Sequence, residues 1–349
     1  MIYYVIALLL LAGFKLPRRV YCVLATIMLV CFAGLRADSV GTDTAMYRYL
    51  FNDFQYIHSF RQLKWEHSVS SLSMEWGYYF ITFILQKIIS FDVFKVLQAM
   101  ATIIPWGYLI YKRSDHPWVS FFILFTLPIF STMTLSAMRQ GVAFGISALA
   151  MDAMMDKKNK KAILLVALAF MFHYSSIIIL PLMFFNKQHY RHKSFLYILP
   201  ILIVVYFSSS TIFSFLTQYS RIDYEAGDAG GIGTLIFLLG LYALSFLVKD
   251  KYFKEGINNW LVYLLIYTIA LWFIGMNLAA IFRLAAYSEG FICLYVSNLL
   301  FYTSKSLRKL IISVVCIGTI LLMSQLVVST TKGNNFYPYH FTWEEQSYN

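Results

Sequence analysis

Apolar runs of about 20 residues recur from one end of the chain to the other, with short polar stretches between them. A helical run of this length matches the hydrocarbon thickness of a bilayer, because an α-helix rises about 1.5 Å per residue. Backbone amides in hydrocarbon must be paired within the protein, and continuous apolar runs achieve this as helices, whereas the strands of a membrane barrel alternate in polarity. The sequence therefore predicts an all-α, polytopic membrane helix bundle.

Composition excludes a soluble globular protein. A soluble domain carries about 25% charged residues, whereas only 13% of these 349 residues are charged and 60% are hydrophobic. The four cysteines all fall inside apolar segments without a CxxC spacing, which favours packing over a disulfide or a metal site; they are Cys22, Cys31, Cys293 and Cys316.

The apolar runs predict about 10–12 transmembrane or re-entrant helices in a single membrane domain, residues 1–349. The predicted helices cover 2–14, 20–35, 75–90, 92–111, 117–134, 136–155, 161–185, 194–216, 232–248, 257–277, 279–302 and 309–329. The first of them has no basic residue before it, which is typical of an uncleaved first helix rather than of a signal peptide.

The net charge of +11 comes mostly from lysine and arginine clusters between the apolar runs. Such clusters mark cytoplasmic loops by the positive-inside rule. We therefore expect the basic residues to reflect membrane topology, with membrane lipids and no nucleic acid as partners. This orientation predicts two outer loops, 36–74 and 218–231, and an outer tail, 331–349. Two stretches, 75–111 and 161–185, break the alternation, and we expect each to contain a re-entrant segment, the second broken near His173.

Ionisable residues at the outer ends of the predicted spans are candidate functional groups, because charges near hydrocarbon are costly. The cations among them are Arg36, Arg139, Arg221 and Arg283. Guanidinium groups that converge on one face of a bundle suit a phosphate ligand, and a lipid diphosphate is the membrane-borne form of it. Snorkelling of the arginines and plain loop turns are the structural alternatives.

The candidate proton acceptors are His173, Asp43 and Glu75. A histidine between aromatic residues can equally be a packed polar side chain. The sequence contains no phosphate-binding glycine loop, no HExxH pair and no GxSxG elbow. We therefore predict neither a metal nor a cofactor.

An ordered set of weak motifs resembles the EpsG branch of the Wzy-type polysaccharide polymerases. The motifs are Gly34-Leu35-Arg36, Gly41-Thr42-Asp43 with Tyr47, Glu75-Trp76-Gly77-Tyr78, Arg139-Gln140, Phe172-His173-Tyr174-Ser175 with Pro181, Arg283 with Tyr287, and Tyr337-Pro338-Tyr339. They run over almost the full chain. The resemblance implies a helical glycosyltransferase in the bacterial inner membrane that makes O-antigen, capsule or exopolysaccharide and uses sugars linked to a lipid diphosphate.

The resemblance leads to the hypothesis of a polymerase that transfers a glycan from undecaprenyl diphosphate to the next lipid-linked repeat unit, at the periplasmic face. Arg139 and Arg283 are expected to hold the diphosphate with help from Arg36 or Arg221. The other expected substrate-binding residues are Gln140, Tyr47, Trp76 and Tyr287, and the expected catalytic residues are His173, Asp43 and Glu75. The implied partners are the lipid-linked oligosaccharide, membrane lipids, and a flippase and a chain-length regulator of the same pathway.

Other functions fit the same pattern. A ligase that moves a finished glycan, or a transferase that uses a polyprenyl-phosphate sugar, would have a similar build. A lipid-linked oligosaccharide transporter would line a central cavity with its arginines and is often built from internal repeats, of which this sequence has no sign. A non-catalytic assembly partner would not depend on any single arginine.

Overall fold

The computed structural model describes residues 1–57, 75–187, 203–204, 206–208, 232–248, 252, 256–276, 280–328 and 335–345. The principal elements in these ranges are helices, and the only β-type pairing there is one antiparallel bridge between Arg36 and Phe341. The helices are α1 (Ile2–Ala12), α2 (Arg18–Gly34), α3 (Thr44–Asp53), α4 (Trp76–Leu85), α5 (Phe91–Arg113), α6 (Pro117–Thr126), α7 (Pro128–Ser131), α8 (Met138–Met155), α9 (Asn159–Phe172), α10 (Ile232–Leu244), α11 (Gly256–Gly275), α12 (Ala280–Glu289), α13 (Ile292–Phe301), α14 (Lys305–Val328) and α15 (Thr342–Glu345).

The all-α polytopic membrane bundle is thus confirmed. Within the described ranges, four helical stretches are long and apolar enough to cross a bilayer, or five if one bent pair counts as a span. They are Phe91–Arg113, Ile257–Gly275, Ile281–Phe301 and Lys305–Val328, with Pro117–Thr126 and Pro128–Ser136 as the bent pair. Four shorter apolar helices accompany them. The predicted helix 194–216 lies largely outside the described residues.

Helices α2, α5, α8 and α9 pack side by side, with α5 between α2 and α8. Basic residues at the end of α5 pair with acidic residues at the end of α8, which shows that these two neighbouring helices run in the same direction. Lys112 Nζ lies 2.8 Å from an oxygen of Asp152, and Arg113 pairs with both Asp152 and Asp156. The first turns of α5 and α8 therefore lie together at the opposite end of the bundle.

Several predicted helices are interrupted in the structure. The predicted helix 117–134 is bent by 69° between α6 and α7, because Leu127 precedes Pro128 and takes an extended conformation, with ψ 134°. A short π-helix, Thr132–Ser136, follows α7. The predicted helix 279–302 is divided by a turn at Gly290 into α12 and α13.

The break predicted near His173 is confirmed. Helix α9 ends at Phe172, His173 is extended with φ −159° and ψ 121°, and a 3-10 helix, Tyr174–Lys187, continues the chain. The other stretch expected to contain a re-entrant segment, 75–111, forms two helices of unequal length. Helix α4 has 10 residues and so reaches only about 15 Å, half of a bilayer core, whereas α5 has 23 residues and is long enough to cross.

The C-terminal segment, residues 335–345, returns to the start of α1 and the end of α2. Tyr3 donates a hydrogen bond of 2.9 Å to the carbonyl of Phe336, and the Tyr339 hydroxyl donates to the carbonyl of Phe32. The rings of Phe32 and Tyr339 stack with their centroids 4.7 Å apart. These contacts place residues near both ends of the sequence beside the loop that follows α2.

Candidate active site

A cavity of about 510 Å³ lies among the first turns of α3 and α8, helix α12 and the bend between α6 and α7. Its lining combines charged, aromatic and apolar side chains from these distant parts of the sequence. They are Thr42, Asp43, Tyr47, Pro128, Ile129, Thr132, Met133, Ser136, Ala137, Arg139, Gln140, His173, Thr234, Trp272, Phe282, Arg283 and Glu289. The bend at Leu127 turns the apolar residues of α7 and the hydroxyl groups of the π-helix towards this space.

Glu75 connects two of the cavity residues. Arg139 Nη1 donates to Glu75 Oε2 over 2.7 Å, and His173 Nδ1 lies 2.6 Å from Glu75 Oε1. Arg139 Nε also donates to the hydroxyl of Tyr47 over 3.2 Å. The carboxylate itself is buried, with 5% of its side chain exposed, whereas the side chains of Arg139 and His173 are 16% and 22% exposed. Glu75 therefore orients a guanidinium and an imidazole from behind the cavity wall.

The sequence around Glu75 explains this placement. Glu75 immediately precedes α4, where the positive end of the helix dipole favours a carboxylate. Gly77 lets α4 approach the end of α9, since a Cβ at residue 77 would lie 2.7 Å from the carbonyl oxygen of Met171. Arg139 is the second residue of α8, where its charge opposes the dipole and the carboxylate of Glu75 offsets it.

The charge on Glu75 determines which nitrogen of His173 is free. Burial acts to raise the pKa of Glu75, but its hydrogen bond with His173 and the charge of Arg139 outweigh burial and hold the pKa below its ordinary value. An ionised carboxylate only accepts hydrogen bonds, so Nδ1 of His173 carries the proton and donates it. In the neutral ring, Nε2 then keeps its lone pair and can act as a base on the cavity side.

Acid should weaken the fold through Glu75. A pKa that is lower in the folded state than in the unfolded chain, where it is about 4.3, stabilises the fold above that pH, and the stabilisation is lost as the pH falls through the folded value. We expect the gap in melting temperature between the unsubstituted protein and Glu75→Gln to be full near neutrality and to shrink below about pH 4. Thermal unfolding in detergent across this range measures it, and a gap that is constant with pH would contradict the expectation.

Asp43 and Arg283 line another part of the cavity, where the charge of Arg283 acts on the Asp43 carboxyl group. Burial raises the pKa of Asp43, while the nearby charges of Arg283 and then Arg139 act to lower it. Within the described ranges, the guanidinium of Arg283 forms no hydrogen bond or ion pair and is exposed to the cavity. The main-chain carbonyl of Arg283 accepts a hydrogen bond of 2.8 Å from Gln140 Nε2, which ties α12 to α8. Arg283 is thus a cation available for an anionic ligand.

Aromatic and acidic groups line the cavity near α11 and α12. The rings of Trp272 and Phe282 lie 4.4 Å apart, and Trp272 Nε1 donates to Glu289 Oε2 over 3.0 Å. Flat aromatic surfaces beside hydrogen-bonding carboxylates suit a polar ring such as a sugar.

The structure brings six of the eleven predicted site residues to the cavity wall. These are Asp43, Tyr47, Arg139, Gln140, His173 and Arg283. Glu75 lies directly behind the wall, and Tyr287 is buried beside it with its hydroxyl 3.0 Å from Ser175 Oγ. Trp76 lies at the start of α4 and contacts Tyr79.

Arg36 is placed away from the cavity lining. Only 1% of its surface is exposed, and its Nη1 donates to the carbonyl of Ala33 over 2.6 Å. Arg221 and the predicted outer loop 218–231 lie outside the described residues, so the role of Arg221 and the position of this loop stay predictions. In the described part of the predicted outer loop 36–74, residues 36–57, the chain forms helix α3, which the sequence analysis did not predict and which carries Tyr47.

Lys95 was missed in the sequence analysis. It is the fifth residue of α5, its side chain is 0% exposed, and its Nζ lies 2.8 Å from Asp38 Oδ1. The rule that ionisable groups within spans are costly would have identified it. Trp272 was missed because a tryptophan in an apolar run carries no signal that separates packing from ligand binding.

Comparisons with known proteins identify the family of the chain. The model of the EpsG family matches residues 19–341, nearly the whole chain, which confirms the resemblance drawn from the motifs. No curated protein and no solved structure shows significant similarity to the chain. The matched region includes every cavity-lining residue, from Thr42 to Glu289. The chain therefore belongs to the EpsG family, whose members are membrane proteins of the polysaccharide-polymerase type.

Proposed function

We propose that the protein transfers a growing glycan from undecaprenyl diphosphate to the next lipid-linked repeat unit, in the cavity at the outer face of the bundle. The observation that carries this proposal is that one cavity contains both the guanidinium of Arg283, which makes no ion pair with the described residues, and the imidazole of His173, which is hydrogen-bonded to the Glu75 carboxylate. The first suits a phosphate and the second suits a hydroxyl proton.

In the proposed step the oxygen of an acceptor hydroxyl forms a bond to the anomeric carbon of the donor glycan. The bond from that carbon to the diphosphate oxygen breaks, and its electron pair leaves with undecaprenyl diphosphate. The acceptor proton passes to Nε2 of His173. Arg283, with Arg139 beside it, stabilises the charge that develops on the departing diphosphate.

Asp43 is the second candidate base and a candidate ligand of the acceptor sugar. Its carboxylate lies near Arg283 and Arg139, so an arriving diphosphate competes with it for these cations. Tyr47 and Trp272 offer aromatic rings to the sugars, and Gln140 keeps Arg283 in place. Trp76 and Tyr287 contribute by packing around Glu75 and Ser175.

The charge distribution supports an outward-facing cavity in the bacterial inner membrane. Arg139 at the start of α8 is separated from the Asp152 cluster with Lys112 by about 20 Å along the helix. By the positive-inside rule the end with Lys112 and Arg113 is cytoplasmic, and the cavity is then periplasmic. There it would receive repeat units delivered by a flippase, and a chain-length regulator would act on the same face.

Replacing Arg283 with alanine should reduce kcat/KM for the lipid-linked donor about 10- to 150-fold, because one or two charge-assisted hydrogen bonds to phosphate are lost. The assay is a purified protein reconstituted with a synthetic lipid-diphosphate repeat unit, read on a gel as a ladder of products. Arg19→Ala is the matched control, since Arg19 is exposed at the start of α2, near the opposite end of the bundle.

The same assay separates the proposal from its rivals. A ladder supports the polymerase, and products of one step only would indicate a ligase or a single-sugar transferase. Translocation of the intact lipid-linked repeat unit without new glycosidic bonds would indicate a transporter. Normal polymerisation by both Arg139→Ala and Arg283→Ala would contradict the proposed roles of these arginines.

A further inference from the structure

The loop of residues 36–43, which we name the Asp43 loop, is hydrogen-bonded to a buried lysine of α5. Lys95 Nζ donates to the carbonyl of Arg36 over 2.7 Å and to Asp38 Oδ1 over 2.8 Å. The same ammonium lies 3.1 Å from Asp92, and Arg48 pairs with both of these aspartates. Two cations and two carboxylates thus balance, and Lys95 joins α5 to the loop that precedes α3.

The C-terminal segment holds the Asp43 loop from the other side. Backbone amides of Ala37 and Gly41 donate to the carbonyls of His340 and Asn335 over 2.9 and 2.8 Å. The hydroxyl of Thr342 lies 2.9 Å from the carbonyl of Arg36. The carbonyl of Arg36 therefore accepts from Lys95 and from Thr342, and it is the point where the two supports meet.

These contacts act on the backbone next to Asp43. Gly41 has a φ of 93°, which favours glycine, and a Cβ there would collide with the carbonyl of Leu135. The amide of Thr42 donates to Ser136 Oγ over 3.1 Å. The loop is thus pressed against the π-helix of the cavity wall, and Asp43 follows directly.

We infer that Lys95 and Thr342 are positioning residues that fix the Asp43 loop, and with it the Asp43 carboxylate, against the cavity. This inference rests on the proposed function for its effect on turnover, and on geometry alone for its effect on the loop. Neither residue lines the cavity among the described residues. A displacement of about 1 Å at a reacting group can cost about 100-fold in rate, so distant supports of this kind control activity.

Opening of the loop is measured first, without any substrate. Val40 is fully buried in the Asp43 loop, so Val40→Cys serves as the reporter in a protein whose native cysteines are replaced by alanine. We expect a membrane-impermeant maleimide to label this introduced thiol about five- to tenfold faster in Thr342→Val, the factor that one hydrogen bond is worth in an equilibrium constant. The increase in Lys95→Met should be larger, because that substitution removes two hydrogen bonds and an ion pair with Asp92. Thr319→Val is the matched control, because Thr319 is buried in α14 and its hydroxyl, among the described residues, donates only to the carbonyl of Cys316 in the same helix.

Turnover is measured second, as a double-mutant cycle with Asp43→Asn. Thr342→Val is expected to lower kcat about tenfold with little change in KM, and Thr342→Ser to restore it, because serine keeps the hydroxyl. In the Asp43→Asn background Thr342→Val should add little further loss. Multiplicative losses, or labelling rates equal to those of the Thr319→Val control, would overturn the inference. Should the unsubstituted protein not form glycosidic bonds, the proposed function fails, and the labelling rates still decide whether the supports hold the loop.

Discussion

Replacing His173 with glutamine should lower kcat by about 100- to 10,000-fold, the range expected when a general base is removed. Glutamine still offers an amide group to Glu75, so the hydrogen-bonded wall of the cavity is kept while the lone pair of Nε2 is lost. The measurement is the initial rate of ladder formation at saturating lipid-linked repeat unit. KM for the donor should change little, because the proposed diphosphate contacts are made by Arg283 rather than by His173.

His116→Gln is the matched control for this substitution. His116 precedes α6 near the end of the bundle that carries Lys112, and its amide donates to Ser297 Oγ over 2.8 Å. The control should polymerise normally. Retention of more than a tenth of normal kcat by His173→Gln would assign the base to another group, and Asp43→Asn would then be the variant to test.

Replacing Arg139 with methionine should destabilise the protein by about 3–5 kcal/mol, the cost of leaving one partner of a buried ion pair without its counter-charge. Glu75 is 5% exposed and would keep only His173 as its partner among the contacts described above. The free energy of unfolding in detergent, from denaturant titration, measures the effect. Activity should be lost as well, since Arg139 lines the cavity.

The double variant Arg139→Met with Glu75→Gln separates stability from catalysis. Removing both charges eliminates the uncompensated carboxylate, so we expect most of the lost stability to return. Activity should not return, because a neutral side chain at residue 75 no longer fixes the proton on Nδ1 of His173. Equal unfolding free energies for Arg139→Met and the unsubstituted protein would show that the ion pair is unimportant for the fold.

Sequence patterns predicted the helices well and their interruptions less well. Long apolar runs such as those of α5 and α14 are predicted reliably, because in hydrocarbon each run can pair its own backbone N–H and C=O groups only by forming a helix. The bend at Leu127 was missed although Pro128 follows it, since hydropathy does not report a change of direction. Helix α3 was missed because its sequence is polar and its stability comes from tertiary contacts such as that between Tyr47 and Arg139.

The sequence predicted most residues of the candidate site, but it did not predict which of them contact each other. Rules for charge in membranes selected Arg139 and Arg283, and the family motifs added Tyr47 and Gln140. No sequence rule placed Glu75 between Arg139 and His173, because these residues are 64 and 98 positions from it. The expectation of a bound anion at Arg139 is changed by this contact, since the carboxylate of Glu75 already lies there.

The support of the Asp43 loop by the C-terminal segment has a consequence for biosynthesis. Arg36 and Thr342 are separated by 306 positions, so a ribosome completes helices α1 to α14 before it reaches the residue that fastens the loop. A nascent chain with these helices inserted still lacks the contacts that hold the Asp43 loop. A chain released or trimmed before residue 335 would therefore keep its long apolar helices but lack the contacts of the C-terminal segment with the Asp43 loop, and we expect it to enter the bilayer and to turn over slowly.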